Sequence, residues 1–68
     1  MKKILYIEDH KDTADAVKII LACAGFHVTV AASGKAGISK ALQGDFDLLL
    51  LDIMLPDMSG WDIFQTLQ

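Results

Sequence analysis

The segment FDLLLLD, residues 46–52, constrains this chain more than any other. Four consecutive leucines leave no polar face. A run of that kind belongs in a parallel sheet with helices on both sides, where neither face of a strand meets water. The expectation is a central parallel strand. The run ends abruptly in a carboxylate, Asp52, and continues as IMLPDMSG. Any account of the chain must explain why a buried strand delivers an acid at its end.

The rest of the chain supplies partners for such a strand. KILYI, residues 3–7, is a short apolar run bounded by charge and reads as a second buried strand. In HKDTADAVKIILACAG, Asp12 or Thr13 is expected to cap a helix, with Asp15 in its first turn. Val17, Ile20, Leu21 and Ala24 recur at helical spacing, and Gly25 offers a left-handed stop after about 12 residues. FHVTVA alternates, with Phe26, Val28 and Val30 on one face and His27 and Thr29 on the other. That pattern predicts an edge strand.

SGKAGISKALQG predicts a weaker helix, capped by Ser33, striped by Ile38, Ala41 and Leu42, and ended by Gly44. Gly37 inside it costs about 1 kcal/mol relative to alanine. SGWDIFQTLQ opens a third helix, with Ser59 as cap and Ile63, Phe64 and Leu67 turned inward. The order β-α-β-α-β-α implies an α/β fold with a parallel sheet and right-handed crossovers.

The totals narrow the class. A chain of 68 residues makes one small domain, whose buried fraction is low and whose stability is marginal. The single cysteine, Cys23, cannot close an internal disulfide. It is expected to be a buried, inert thiol. No Cys/His cluster suggests structural zinc. A partner chain is the remaining support for so small a core. With 53% hydrophobic residues the chain is not disordered, and a net charge of −3 with scattered lysines argues against nucleic acid. The apolar run at Ile4–Ile7 is too short for a signal peptide, and no stretch is long enough to span a membrane. A cytoplasmic location is expected.

Ligands of open parallel sheets bind beyond the carboxyl ends of the strands. The first strand ends in Glu8 and Asp9, the third in Asp52. Three carboxylates at one sheet edge repel one another unless a cation joins them. Mg²⁺ takes oxygen ligands of this type. Asp12, Asp15, Asp45, Asp47 and Asp62 read as caps, turns or exposed helix positions, and Asp57 as a turn residue. His10 follows the acidic pair and reads as a solvated loop residue, within reach of a bound phosphate.

Two stretches carry a family resemblance. ILYIEDH closes the first strand with an acidic pair. LLLLDIMLPDMSGWDIF places D-x-x-L-P-x-x-x-G after the leucine run, which is the more specific signal. The chain resembles the receiver domain of bacterial two-component response regulators over all 68 residues. The resemblance implies a flavodoxin-like half-domain: a (βα)3 unit, with a three-stranded parallel sheet of order 2-1-3 and helices on both faces.

Position by position, it makes Asp52 the phosphoacceptor and Asp9 a direct Mg²⁺ ligand. Glu8 becomes an acid acting through a metal-bound water, and Met54 a backbone-carbonyl ligand. Mn²⁺ is the natural substitute for Mg²⁺. Pro56 keeps Leu55 out of helical geometry, and Gly60 permits a tight entry to the third helix. The phosphodonor would be a histidine kinase or a phosphotransfer protein.

The family pattern continues beyond what these residues supply. It has two more strands and helices, with a Thr or Ser and a Lys that hold the phosphoryl group. Residues 1–68 are therefore expected to form one truncated receiver domain, weakly phosphorylated at best. The edge at Leu48, Leu49, Leu50 and Leu51 would lack a neighbour, which predicts self-association, most simply as a two-fold dimer. The competing reading is a non-catalytic half-domain that folds by self-association and serves a structural role. A haloacid-dehalogenase-type hydrolase would need D-x-D where Asp52-Ile53-Met54 stands, and a phosphate-binding G-x-x-x-x-G-K-[ST] loop is absent.

Overall fold

The computed structural model describes residues 2–51 and 60–67, the Phe64 side chain excepted. Its elements are β1 (Lys3–Ile7), α1 (Lys11–Cys23), β2 (His27–Ala31), α2 (Gly34–Gln43), β3 (Leu48–Leu51) and α3 (Gly60–Leu67). The strands form one sheet of order β2-β1-β3. Both pairings are parallel, with Leu5 beside Thr29 on one side and Leu49 on the other. The expected truncated flavodoxin-like order 2-1-3 is therefore present.

The alternation of side chains divides the core between two faces. Leu5, Ile7, Ala31 and Ile63 are buried on one face, against partly buried residues of α2, α3 and β3. Ile4, Tyr6, Ala14 and Val28 are buried on the other, with Val17 and Leu21 of α1. Leu49 and Leu51 pack toward the first face and Leu50 toward the second. The leucine run thus serves both faces, as its lack of polarity demands.

Its place in the sheet differs from the expectation. β1 is the central strand, and β3 lies at an edge among the described residues. Leu48 is 53% exposed there.

Helix ends show where local chemistry decides. Gly25 has φ +96°. Its N–H donates to the Ala22 carbonyl (3.0 Å), and the Phe26 N–H to the Leu21 carbonyl (3.1 Å). This pair of bonds is the Schellman arrangement, which satisfies the last carbonyls of α1 and needs a residue at ease with positive φ. Ser33 caps α2 as expected, its hydroxyl accepting from the Ala36 N–H at 3.1 Å.

Gly44 ends α2 by another route. Its backbone is extended (φ −123°), and a Cβ there would lie 2.9 Å from the Phe46 ring. The glycine makes room for Phe46 instead of providing a left-handed turn.

α1 begins earlier than its sequence suggests. His10 is the N-cap and makes no side-chain cap bond, so neither Asp12 nor Thr13 caps the helix. The Ala14 N–H closes the first turn on the His10 carbonyl at 2.9 Å. Asp12 occupies the first turn, and Asp15 pairs with Lys11 at 2.8 Å.

Four apolar assignments are also corrected. Ile20 is 66% and Leu42 74% exposed, and Cys23 and Ala24 are exposed rather than buried. Because α1 faces the sheet through Ala14, Val17 and Leu21, Ile20 and Cys23 fall on its outer side.

Gly37 is a requirement of packing. A Cβ at this position would sit 2.6 Å from Cγ1 of Ile7, a fully buried core residue. Overpacking costs about 1–3 kcal/mol, against a helix-propensity gain of about 1 kcal/mol. Gly37→Ala is therefore expected to lose about 1 kcal/mol net by urea denaturation. A raised midpoint would contradict the close approach of α2 to β1.

Candidate metal and phosphoacceptor site

β1 emerges from the sheet at Ile7 and delivers Glu8, Asp9 and His10 in succession. The Glu8 N–H still bonds the Ala31 carbonyl of β2 at 3.0 Å, so the strand holds this residue in line. Glu8 is only 8% exposed. A carboxylate at that depth must be compensated, and three groups do so. The His10 backbone N–H donates to Oε1 at 3.0 Å. His10 Nδ1 lies 3.1 Å from the same oxygen. The Tyr6 hydroxyl donates to Oε2 at 3.3 Å. The backbone bond from His10 does most to hold the Glu8 pKa below its ordinary value, helped by the side-chain bonds from His10 and Tyr6; burial works in the opposite direction.

Asp9 is treated differently. Its Oδ1 is a buried oxygen that accepts no hydrogen bond among the described residues. His10 Nδ1 is 3.2 Å from it, without hydrogen-bond geometry. An oxygen withdrawn from water without a donor is costly, and a cation is one way to compensate it. Ligand atoms of Glu8, Asp9 and His10 lie within 4.8 Å of one another. Two hard carboxylates, one with a spare buried oxygen, fit the requirements of a divalent cation such as Mg²⁺.

The structure therefore brings together two of the residues expected at the site, Glu8 and Asp9. Asp52 and Met54 lie outside the described residues, as do Pro56, Asp57 and Ser59. The register still bears on Asp52, because Leu51, to which it is bonded, pairs with Ile7. The residues that follow these two strand ends are Glu8 and Asp52.

Two roles escape sequence reasoning. His10 joins the acidic cluster; its adjacency to the pair was the available signal. Asp47, expected in an ordinary turn, clamps β3 to β1. Its Oδ2 accepts from the Lys3 N–H at 2.7 Å while its own N–H donates to the Lys3 carbonyl at 2.8 Å.

Comparison with known proteins gives this geometry a family. Residues 4–68 match the response regulator receiver domain. The chain is 47% identical to the transcriptional regulatory protein CusR of Escherichia coli K12 over 66 residues, covering 97% of this chain and 29% of CusR. It is 41% identical to the cell cycle transcriptional regulator CtrA of Caulobacter vibrioides over the same length, covering 97% of this chain and 29% of that protein. The chain thus spans under a third of these relatives.

Among solved structures, response regulator TrrA of Thermotoga maritima, in complex with Mg²⁺-BeF, superposes with TM-score 0.95 at 30% identity. That comparison covers 98% of this chain and 58% of TrrA. TrrA in complex with the histidine kinase ThkA superposes with TM-score 0.93, at the same identity and coverage. The acidic strand end, the 2-1-3 sheet and these likenesses agree, and the chain belongs to the response regulator receiver domain family.

Proposed function

We propose that this chain is the phospho-accepting portion of a two-component receiver, in which Asp52 takes a phosphoryl group from a histidine kinase or a phosphotransfer protein. The observation that carries the reading is the Glu8–Asp9 pair at the end of β1, with a buried oxygen that has no donor among the described residues, beside the strand that leads into Asp52. A carboxylate oxygen of Asp52 would attack the phosphorus of a phosphohistidine. The P–N bond breaks, an acyl phosphate forms, and the imidazole leaves.

Asp9, Asp52 and the Met54 carbonyl would hold Mg²⁺, or Mn²⁺ in its place, with Glu8 acting through a bound water. When bound, the cation neutralises charge on the transferred phosphoryl oxygens. Glu8 fixes the β1–α1 turn through the His10 N–H, and so fixes where Asp9 stands. This role suits a cytoplasmic protein. No helix of the described residues is long and apolar enough to cross a membrane. Nothing in its charge calls for nucleic acid.

Trp61 of α3, 63% exposed, follows the segment that carries Asp52 and serves as a reporter. Mg²⁺ is expected to change its fluorescence, with a weakened response in Asp52→Asn. Identical titrations of the two proteins would sink the site. The 68-residue chain offers no evident counterpart of the family's Thr/Ser and Lys phosphoryl partners. Donors of that kind are worth about 3–4 kcal/mol each in other enzymes. Phosphorylation of this chain alone is therefore expected to be weak.

A second reading rests on a different observation. The outer edge of β3 carries no strand among the described residues, and Leu48 is exposed on it. A groove of about 510 Å³ lies beside it, lined by Leu42, Phe46, Leu48, Leu49 and Leu67 among others. An open edge recruits another strand. In this reading the 68-residue chain self-associates through Leu48–Leu51 and serves as an interaction half-domain. Sedimentation is expected to show a dimer that Leu48→Lys weakens. A folded monomer across a wide concentration range would exclude it.

A further inference from the structure

We propose that the open edge of β3 takes the outer edge of β2 from a second copy of this chain, so that copies join head to tail into one continuous parallel sheet. This rests on the self-association reading and deepens it, because it names the surface that meets Leu48–Leu51. Among the described residues, the order β2-β1-β3 leaves one side of β2 and one side of β3 without a neighbour. The β2 segment HVTVA contains no proline or lysine of the kind that blunts a natural edge. The His27 N–H donates inward to the Lys2 carbonyl at 2.8 Å, and the Ala31 carbonyl accepts inward from the Glu8 N–H at 3.0 Å. Backbone groups alternate in direction along a strand, so those of Val28 and Val30 turn outward.

Register and faces match. Ile4 lies between Val28 and Leu48, and Ile7 between Ala31 and Leu51. Continuing that register sets Leu48, Leu49, Leu50 and Leu51 beside Val28, Thr29, Val30 and Ala31 of the next copy. Apolar neighbours then share a face. Leu49 and Leu51 pack on the face of Ala31, and Leu50 on that of Val28 and Val30. Residues of α2 pack on the first of these faces. The next copy's α2 therefore arrives on the side of the groove lined by Leu42, Phe46 and Leu67.

Charge decides between this arrangement and a two-fold one. Lys2, Lys3 and His27 are exposed at the amino ends of β1 and β2, and Asp45 and Asp47 are exposed at the amino end of β3. Head to tail, the acidic end of one copy meets the basic end of the next, with Asp47 in line with the next copy's His27. A two-fold pairing of β3 with β3 reverses one strand. It brings Asp45 and Asp47 of each copy toward the strand end that leads into Asp52 of the other. Like charges opposed across a strand pair are destabilising. A head-to-tail contact that does not close leaves a free edge at each end. The dimer is then the first product, and it grows with concentration.

The test is sedimentation velocity of the 68-residue chain over a range of concentrations, with far-UV circular dichroism to check that each variant folds. Wild type is expected to pass beyond the dimer as concentration rises. Leu48→Lys blocks the edge of β3. Val30→Pro blocks the edge of β2, at a position whose outward N–H makes proline tolerable. His27→Glu, at an exposed position, opposes the same edge by charge and takes the place of Val30→Pro if that variant does not fold. Each variant alone is expected to stay monomeric. Leu48→Lys mixed with a β2-edge variant is expected to give a one-to-one dimer and nothing larger, because each supplies the edge that the other lacks. A wild type that stops at the dimer, or β2-edge variants that dimerise alone, would make the pairing β3 to β3. The proposal is then overturned while self-association stands. If wild type is monomeric at every concentration, the proposal and the self-association reading both fail.

Discussion

Leu5→Ala is expected to leave the chain largely unfolded in plain buffer at 25 °C. Leu5 has no exposed surface and sits in the middle of the central strand, paired to both neighbours. It belongs to the cluster that joins β1 to β2 and α3 through Ala31 and Ile63. Truncating a buried leucine costs about 2–5 kcal/mol, from lost burial and from the cavity left behind. A domain of this size holds only about 3–5 kcal/mol in its core. Leu42→Ala is the matched control, the same chemical change at a position 74% exposed. It is expected to stay within about 0.5 kcal/mol of wild type. Far-UV circular dichroism with urea titration reads both. Equal tolerance of the two variants would mean that the core does not lie where the burial places it.

That contrast also marks what the sequence could reveal. β1 was legible to the residue, because KILYI is apolar, short and bounded by charge. Ser33 and Gly25 were legible because a cap and a positive-φ stop have local chemical signatures. Ile20 and Leu42 were not. Helical spacing identifies apolar stripes but not which of two adjoining stripes meets the sheet. In α1 the choice fell to Ala14, Val17 and Leu21, leaving Ile19 and Ile20 outside. The start of α1 was hidden for a related reason. Local cap preferences favour Asp12 or Thr13, but the turn is tied by Glu8 reaching forward to the His10 N–H. A carboxylate at the end of β1 ties the start of the helix, and no cap rule anticipates it.

Gly37 shows how sequence and structure can agree on a residue and differ on its meaning. As a glycine in a helix it reads as a weakness. Against Ile7 it is the condition for α2 to approach β1. The candidate site reads in the sequence as a pair of acids ending a strand, and the roles expected for them come from the resemblance. The structure adds the difference between the two: Glu8 is compensated by donors and Asp9 is left with an oxygen to spare.

Asp9→Asn is accordingly expected to move stability and metal affinity in opposite directions. In the metal-free chain the substitution removes a negative charge beside the Glu8 carboxylate. It also supplies an amide N–H₂ to a neighbourhood rich in acceptors. Relief of one buried, donor-less charged oxygen is worth about 1 kcal/mol or more, so urea denaturation in EDTA is expected to show a gain of that order. The same change removes a carboxylate ligand. Mg²⁺ affinity is expected to fall at least tenfold, equivalent to about 1.4 kcal/mol. Asp12→Asn provides the comparison. Asp12 is exposed in the first turn of α1, where its charge favours the helix by about 0.3–1 kcal/mol. It is expected to lose a little stability and leave Mg²⁺ affinity unchanged. Loss of both stability and affinity in Asp9→Asn would make Asp9 a structural residue. A gain in stability with unchanged Mg²⁺ binding would place the cation elsewhere. Only the opposed pair of shifts fits a carboxylate kept at a cost to the fold because a cation needs it.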